Sequence, residues 1–104
     1  MKKLSSASEF EREVQGDQTS VVKFYADWCP DCKRLDQHFG QIISEYPTLN
    51  FYDVNVEELV DVAEGQDVRG IPSLLVFRNG EKVAHLHSAN LKTPQQARDF
   101  LNTL

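Results

Sequence analysis

The chain has 104 residues, enough for one domain (residues 1–104) with a modest core, and 40% of them are hydrophobic. Its 11 basic and 16 acidic side chains leave a net charge of −5. That argues against nucleic acid as the main partner, which requires clustered Lys and Arg. No apolar run approaches the ~20 residues that span a bilayer, so no membrane partner is expected. Met1-Lys2-Lys3-Leu4 starts like a signal peptide but lacks the apolar stretch that should follow. The expectation is a cytoplasmic protein, monomeric by default.

Lys2–Leu4 reads as a short edge strand. Ser6 is placed to cap a helix with Glu9 as its box partner, Phe10 and Val14 share one face, and Gly16-Asp17 ends it. Val21–Ala26 is a strand dense enough in apolar residues for burial on both faces, with Lys23 its odd member. A long helix runs from Pro30 to Tyr46, with Leu35, Phe39, Ile42 and Ile43 on one stripe, and Pro47 stops it. Asn50–Val56 is the next strand, and Glu57–Glu64 a short helix closed by Gly65. The acidic run Glu57-Glu58 and Asp61 reads as a solvated face of that helix. Ser73–Arg78 and Lys82–His87 form a hairpin about Asn79-Gly80. Thr93 caps a last helix with Pro94 at its first position and Ala97, Phe100, Leu101 and Leu104 as its apolar face. The order β-α-β-α-β-α-β-β-α is satisfied by an α/β fold: one mixed sheet with helices on both faces.

The two cysteines are three positions apart. A ring that small does little for stability, and in an intracellular chain the spacing points to redox chemistry or metal binding. Trp28-Cys29-Pro30-Asp31-Cys32 lies between a buried strand and a long helix. Cys29 falls at the N-cap, where free N–H groups and the helix dipole favour a thiolate, the nucleophile of disulfide exchange. Pro30, lacking an N–H, suits the first helical position. Cys32 sits one turn in, less exposed, where it can attack a mixed disulfide held on Cys29. Cys29 is thus assigned as attacking thiol and Cys32 as resolving thiol. The rival reading, zinc, needs four ligands, with only His38, His85 and His87 to add. His38 lies off the helical face of Cys32, and His85 and His87 read as solvated residues of an edge strand.

The stretch Phe24-Tyr25-Ala26-Asp27-Trp28-Cys29-Pro30-Asp31-Cys32-Lys33 resembles the active site of the thioredoxin family. Val68-Arg69-Gly70-Ile71-Pro72-Ser73 resembles that family's second landmark, and Leu74-Leu75-Val76-Phe77-Arg78-Asn79-Gly80-Glu81 the hairpin that follows. The resemblance covers nearly the whole chain and implies a thioredoxin fold with a cis Ile71–Pro72 bond. It further implies that the Ile71 backbone pairs with an extended substrate segment, and that Trp28, Ile71 and Pro72 form an apolar docking surface around Cys29. Disulfide-containing proteins would be the substrates, and a flavin-dependent thioredoxin reductase the electron donor. No cofactor is expected on the chain itself, which has no nucleotide fingerprint.

Four departures from the family pattern stand out. Pro30-Asp31 replaces Gly-Pro between the cysteines. The Asp31 carboxylate should oppose thiolate formation and select basic partners; the same WCPDC string occurs in a cytosolic branch with a narrower target range. The family's buried Asp on the central strand matches Lys23, and its Lys on the neighbouring strand matches Asp53. A buried Lys23–Asp53 ion pair behind Cys32 is therefore expected, its ammonium stabilising a Cys32 thiolate. Gln37 replaces the kink proline of the long helix, and His87-Ser88-Ala89-Asn90 replaces a glycine-bearing turn. The functional expectation is a protein disulfide reductase; a redox-gated binding module and a dithiol oxidant or isomerase are the alternatives.

Overall fold

A computed structural model describes all 104 residues. Five strands, β1 (Lys2–Lys3), β2 (Ser20–Tyr25), β3 (Asn50–Asn55), β4 (Ser73–Arg78) and β5 (Glu81–Leu86), form one sheet in the order β1-β3-β2-β4-β5. β1, β3 and β2 are parallel, and β4 pairs antiparallel with both β2 and β5. The helices are α1 (Ala7–Val14), α2 (Pro30–Ser44), α3 (Val60–Gly65) and α4 (Pro94–Leu101), with a single 3₁₀ turn at Ser88–Asn90.

β2 is the central strand, and its apolar residues divide by alternation between two cores. Val21 points with Leu74 into a core closed by Leu35, Phe39 and Ile42 of α2 and Leu101 of α4. Val22 and Phe24 point the other way, where Phe10 of α1 meets Phe77 edge-on at 5.4 Å and Ala63 of α3 adds cover. Burial on both faces is what the dense apolar run of β2 requires.

The ends of the elements follow local chemistry. Ser6 Oγ accepts the N–H of Glu9 at 3.1 Å, but the Glu9 carboxylate reaches back to the N–H of Ser5 instead of that of the cap itself. Thr93 and Gln96 make a full capping box, with Pro94 first in the helix. Asn79 and Gly80 both have positive φ, 55° and 81°, as a two-residue hairpin turn demands. α2 is continuous where Gln37 stands.

Three expectations are corrected. α3 begins at Val60 and not at Glu57, because the Asn55 side chain accepts the N–H of Glu57 at 2.8 Å and holds a turn there. α3 contains Gly65, and the left-handed residue after it is Asp67, at φ 61°. α4 stops at Leu101, leaving Leu104 exposed.

His85 and His87 are not simply solvated. Their rings stack at 3.7 Å, and the Lys82 ammonium lies 3.1 Å from Nδ1 of His85. That contact makes Nδ1 the acceptor and puts the ring proton on Nε2, which is buried without a partner. Burial first, then the charges of Lys82 and His87, pull the His85 pKa down to about 4 from 6.5. Below pH 6.5 the unfolded imidazole therefore takes a proton that the native ring refuses until about pH 4. Stability is expected to fall as pH drops through that window. Urea unfolding at stepped pH should show this slope, flattened in His85→Gln.

Candidate active site

The two cysteines lie where β2 hands the chain to α2. Cys29 is the N-cap residue of α2, extended at φ −80° and ψ 110°, and its Sγ accepts the backbone N–H of Cys32 at 3.1 Å. Pro30 opens the helix without an N–H to leave unpaired. The sulfurs of Cys29 and Cys32 lie at disulfide-bonding distance, and both residues are buried. Ile71 precedes a cis peptide bond to Pro72, and its carbonyl oxygen is 3.8 Å from Cys29 Sγ.

A groove of about 440 Å³ opens beside the dithiol, lined by Trp28, Cys29, Val56, Val68, Ile71 and Ser88 among others. Cys29 borders it and Cys32 does not. Trp28 is 64% exposed, and its indole N–H donates to Glu57 at 3.1 Å, which fixes the ring at the rim. Pro72 differs from expectation: it is fully buried, so it supports Ile71 from behind and adds nothing to the exposed docking surface. Ser88, carried by the 3₁₀ turn, closes the far side so tightly that a Cβ at Gly70 would collide with its hydroxyl.

Residues 1–101 match the sequence model of the thioredoxin family. The chain belongs to the thioredoxin family. It is 39% identical to thioredoxin-1 of Saccharomyces cerevisiae over 94 residues, covering 90% of this chain and 91% of that one. Thioredoxin-1 of Schizosaccharomyces pombe is 36% identical over 90 residues, 86% of this chain and 87% of that one. Among solved structures, the thioredoxin of Malassezia sympodialis superposes with a TM-score of 0.88 at 27% identity, covering 98% of this chain and 90% of that one. Mitochondrial thioredoxin 3 of S. cerevisiae, in its oxidised form, gives 0.88 at 26% identity over 100% of this chain and 95% of that one. This thioredoxin-family chain is accordingly a thiol–disulfide oxidoreductase.

The charges behind the site are arranged differently from expectation. Lys23 and Asp53 are register partners on β2 and β3, yet Lys23 makes its ion pair with Asp36 of α2. The Lys23 side chain is only 3% exposed, and its ammonium lies 4.9 Å from the centre of the Phe39 ring. Asp36 lies four residues after Cys32, hence on the same face of α2. It keeps contact with water, with its side chain 48% exposed. A helix carboxylate reaches the buried ammonium from above, and Asp53 is left with an oxygen that has no hydrogen-bond partner. Burial raises the Asp53 pKa above 3.8, with the attraction of Lys23 opposing and the repulsion of Asp36 adding to it.

Asp31 is also not the free charge that the spacing suggests. Arg34 donates to it at 2.9 Å and Lys92, from the start of α4, lies at 3.4 Å. His38 sits in a cleft with Arg34 and Lys92, away from the dithiol. Sequence reasoning missed Asp36, Glu57 and Lys92 as neighbours of the site, and named Ser88 only as part of a replaced turn. Only Asp36 left a signal: a lone Lys in a buried strand demands a carboxylate.

The two carboxylates near Lys23 are expected to respond oppositely to substitution. Asp36→Ala strands a buried ammonium and should cost about 1–3 kcal/mol. Asp53→Asn removes a carboxylate whose ionisation burial opposes. The cost of that charge is absent below pH 3.8, grows as pH rises toward the raised native pKa, and is complete above it. Asp53→Asn should therefore stabilise the protein at neutral pH and lose that advantage in acid. Denaturant midpoints at both pH values check both variants.

Proposed function

We propose that this thioredoxin-family oxidoreductase works as a protein disulfide reductase, with Cys29 as the attacking thiolate and Cys32 as the resolving thiol. The observation that carries this reading is the unequal setting of the two sulfurs. Cys29, 3% exposed, borders the open groove and accepts an N–H at the start of α2, whereas Cys32, 1% exposed, lies one turn inside the helix and does not border the groove. An anion at Cys29 is favoured by that N–H and by the helix dipole.

In the reduced protein the Cys29 thiolate attacks one sulfur of a substrate disulfide. An S–S bond forms between them, the substrate's own S–S bond breaks, and its second sulfur leaves as a thiolate that takes up a proton. Cys32 then loses its proton and attacks Cys29 Sγ. The mixed disulfide breaks, the first substrate sulfur leaves as a thiol, and the Cys29–Cys32 disulfide remains. Two electrons have passed to the substrate, and an external donor must return them. A flavin-dependent thioredoxin reductase fits that need.

Trp28, Pro30, Asp31 and Ile71 form the docking rim in this reading, with Pro72 as its support. The backbone of Ile71 pairs with an extended substrate segment. Lys23 favours the Cys32 thiolate through its buried positive charge, which the low dielectric of the interior leaves weakly screened. Asp53, the register neighbour of Lys23 on β3, tempers that charge. We further infer that residues 1–104 act as one domain, as a monomer, in the cytoplasm.

Cys29→Ser should abolish turnover on a model protein disulfide. Cys32→Ser should retain the first attack and accumulate the mixed disulfide, visible as a mass adduct. A redox titration followed by Trp28 fluorescence should give a two-electron midpoint near about −270 mV, the value typical of thioredoxin. A midpoint near about −120 mV would mark an oxidant and reverse the proposed direction.

A further inference from the structure

A second cleft, of about 250 Å³, lies on the other side of Asp31, between the beginnings of α2 and α4. Asp31 borders both this cleft and the groove over Cys29, so the two are continuous past a single side chain. The walls of the second cleft are Arg34 and His38 from α2 and Lys92 and Thr93 from the approach to α4, with Leu35 and Leu91 at its apolar base. The far ends of the two helices are tied together: Arg98 of α4 donates two bonds to Glu45, at 2.8 and 3.1 Å, and Tyr46 Oη donates to the Arg98 carbonyl at 3.2 Å. The cleft therefore has walls fixed by the fold.

Its charge is the reverse of the chain's. Overall the protein carries −5, yet Arg34 and Lys92 face one carboxylate, Asp31, which leaves a net charge of about +1 among the three. Arg34 spends one nitrogen on Asp31, at 2.9 Å, and Lys92 holds it loosely at 3.4 Å. A guanidinium has five N–H donors and an ammonium three, so both cations keep donors to offer. The opposite rim, beyond Trp28, carries Glu57, which accepts from the indole, and Glu58, paired with Lys3 at 3.0 Å. The docking face is thus cationic toward α4 and anionic toward β3.

We propose that the α2–α4 cleft is a subsite for a carboxylate side chain of the substrate polypeptide, an Asp or Glu close to the disulfide that Cys29 attacks. A planar carboxylate fits the unused edge of the Arg34 guanidinium and can take a second bond from Lys92. The subsite selects acidic segments, opposite to the preference for basic partners that Asp31 alone suggests. Asp31 tempers the selection by competing for the same two cations. The inference rests on the reductase reading and adds the substrate class to it.

The test uses pairs of disulfide peptides that differ only in Glu or Gln beside the cysteine. The oxidised protein is also titrated with the same peptides carrying Ser for Cys, read at the NMR signals of the His38 ring. Wild type should reduce the Glu peptide with a kcat/KM about 3- to 10-fold above the Gln peptide, a ratio that shrinks as salt rises. The Glu form of the Ser peptide should bind more tightly and move the His38 signals. In Arg34→Gln/Lys92→Gln both preferences should fall to about 1, with the change in KM, and in Asp31→Asn both should grow. Equal handling of the two peptides by wild type, or a preference that survives in the double variant, overturns the proposal. The Ser peptides need no turnover: a chain that reduces neither disulfide peptide but binds the Glu form at His38 would refute the reductase reading and leave the subsite standing.

Discussion

The N–H of Cys32 can point at Cys29 Sγ only because β2 delivers the chain to the start of α2 at a fixed place and angle. That delivery rests on burial. β2 is covered on both faces, by α2 and α4 on one and by α1 and α3 on the other, and it bonds to strands on both sides. A strand held in this way cannot slip by one residue without turning Val22 and Phe24 out of one core and Val21 out of the other. The rigidity that stabilises the sheet therefore also sets the position of the sulfur.

Lys23 is the exception within that constraint, and its resolution explains much of the electrostatics. A charge at this depth is costly unless paired. The register brings Asp53 alongside, but Asp36 makes the contact. Asp36 has the better position for two reasons. It descends from α2 onto the end of the lysine side chain, and it remains half in water, so its own desolvation cost is smaller than that of a second buried charge. Asp53 then carries the unfavourable part of the arrangement, an oxygen without a partner and a raised pKa.

Much of this was legible in the chain itself, where the signals are local. Period-2 and period-3.6 patterns, the Thr93–Pro94 helix start and the Asn79-Gly80 turn each depend on a few neighbouring residues, and each element appears within a few residues of its expected place. The dithiol was legible for the same reason, since an N-cap cysteine after a buried strand is defined by its immediate sequence. Long-range geometry was not. Asp36 looks like any polar position on an amphipathic helix until the packing of α2 on β2 sets it above Lys23. Arg34 beside Asp31 is an i,i+3 neighbour and readable, but Lys92 reaches Asp31 from 61 residues away. The start of α3 was misplaced because Glu57 and Glu58 are good helix formers, while the side chain of Asn55 captured the N–H that would have begun the helix.

These charge placements give the two cysteines different surroundings. Above the dithiol, Asp31 is balanced by two exposed cations, so its influence on the Cys29 thiolate is small and salt-dependent. Below it, the ammonium of Lys23 is buried while its partner Asp36 stays half exposed. In the proposed exchange that ammonium favours negative charge on Cys32, the sulfur with least help from solvent. In the exchange proposed above, the attacking thiol is stabilised by the Cys32 N–H at the start of α2 and the resolving thiol by the Lys23 charge. The two steps of the exchange can therefore be tuned by different residues.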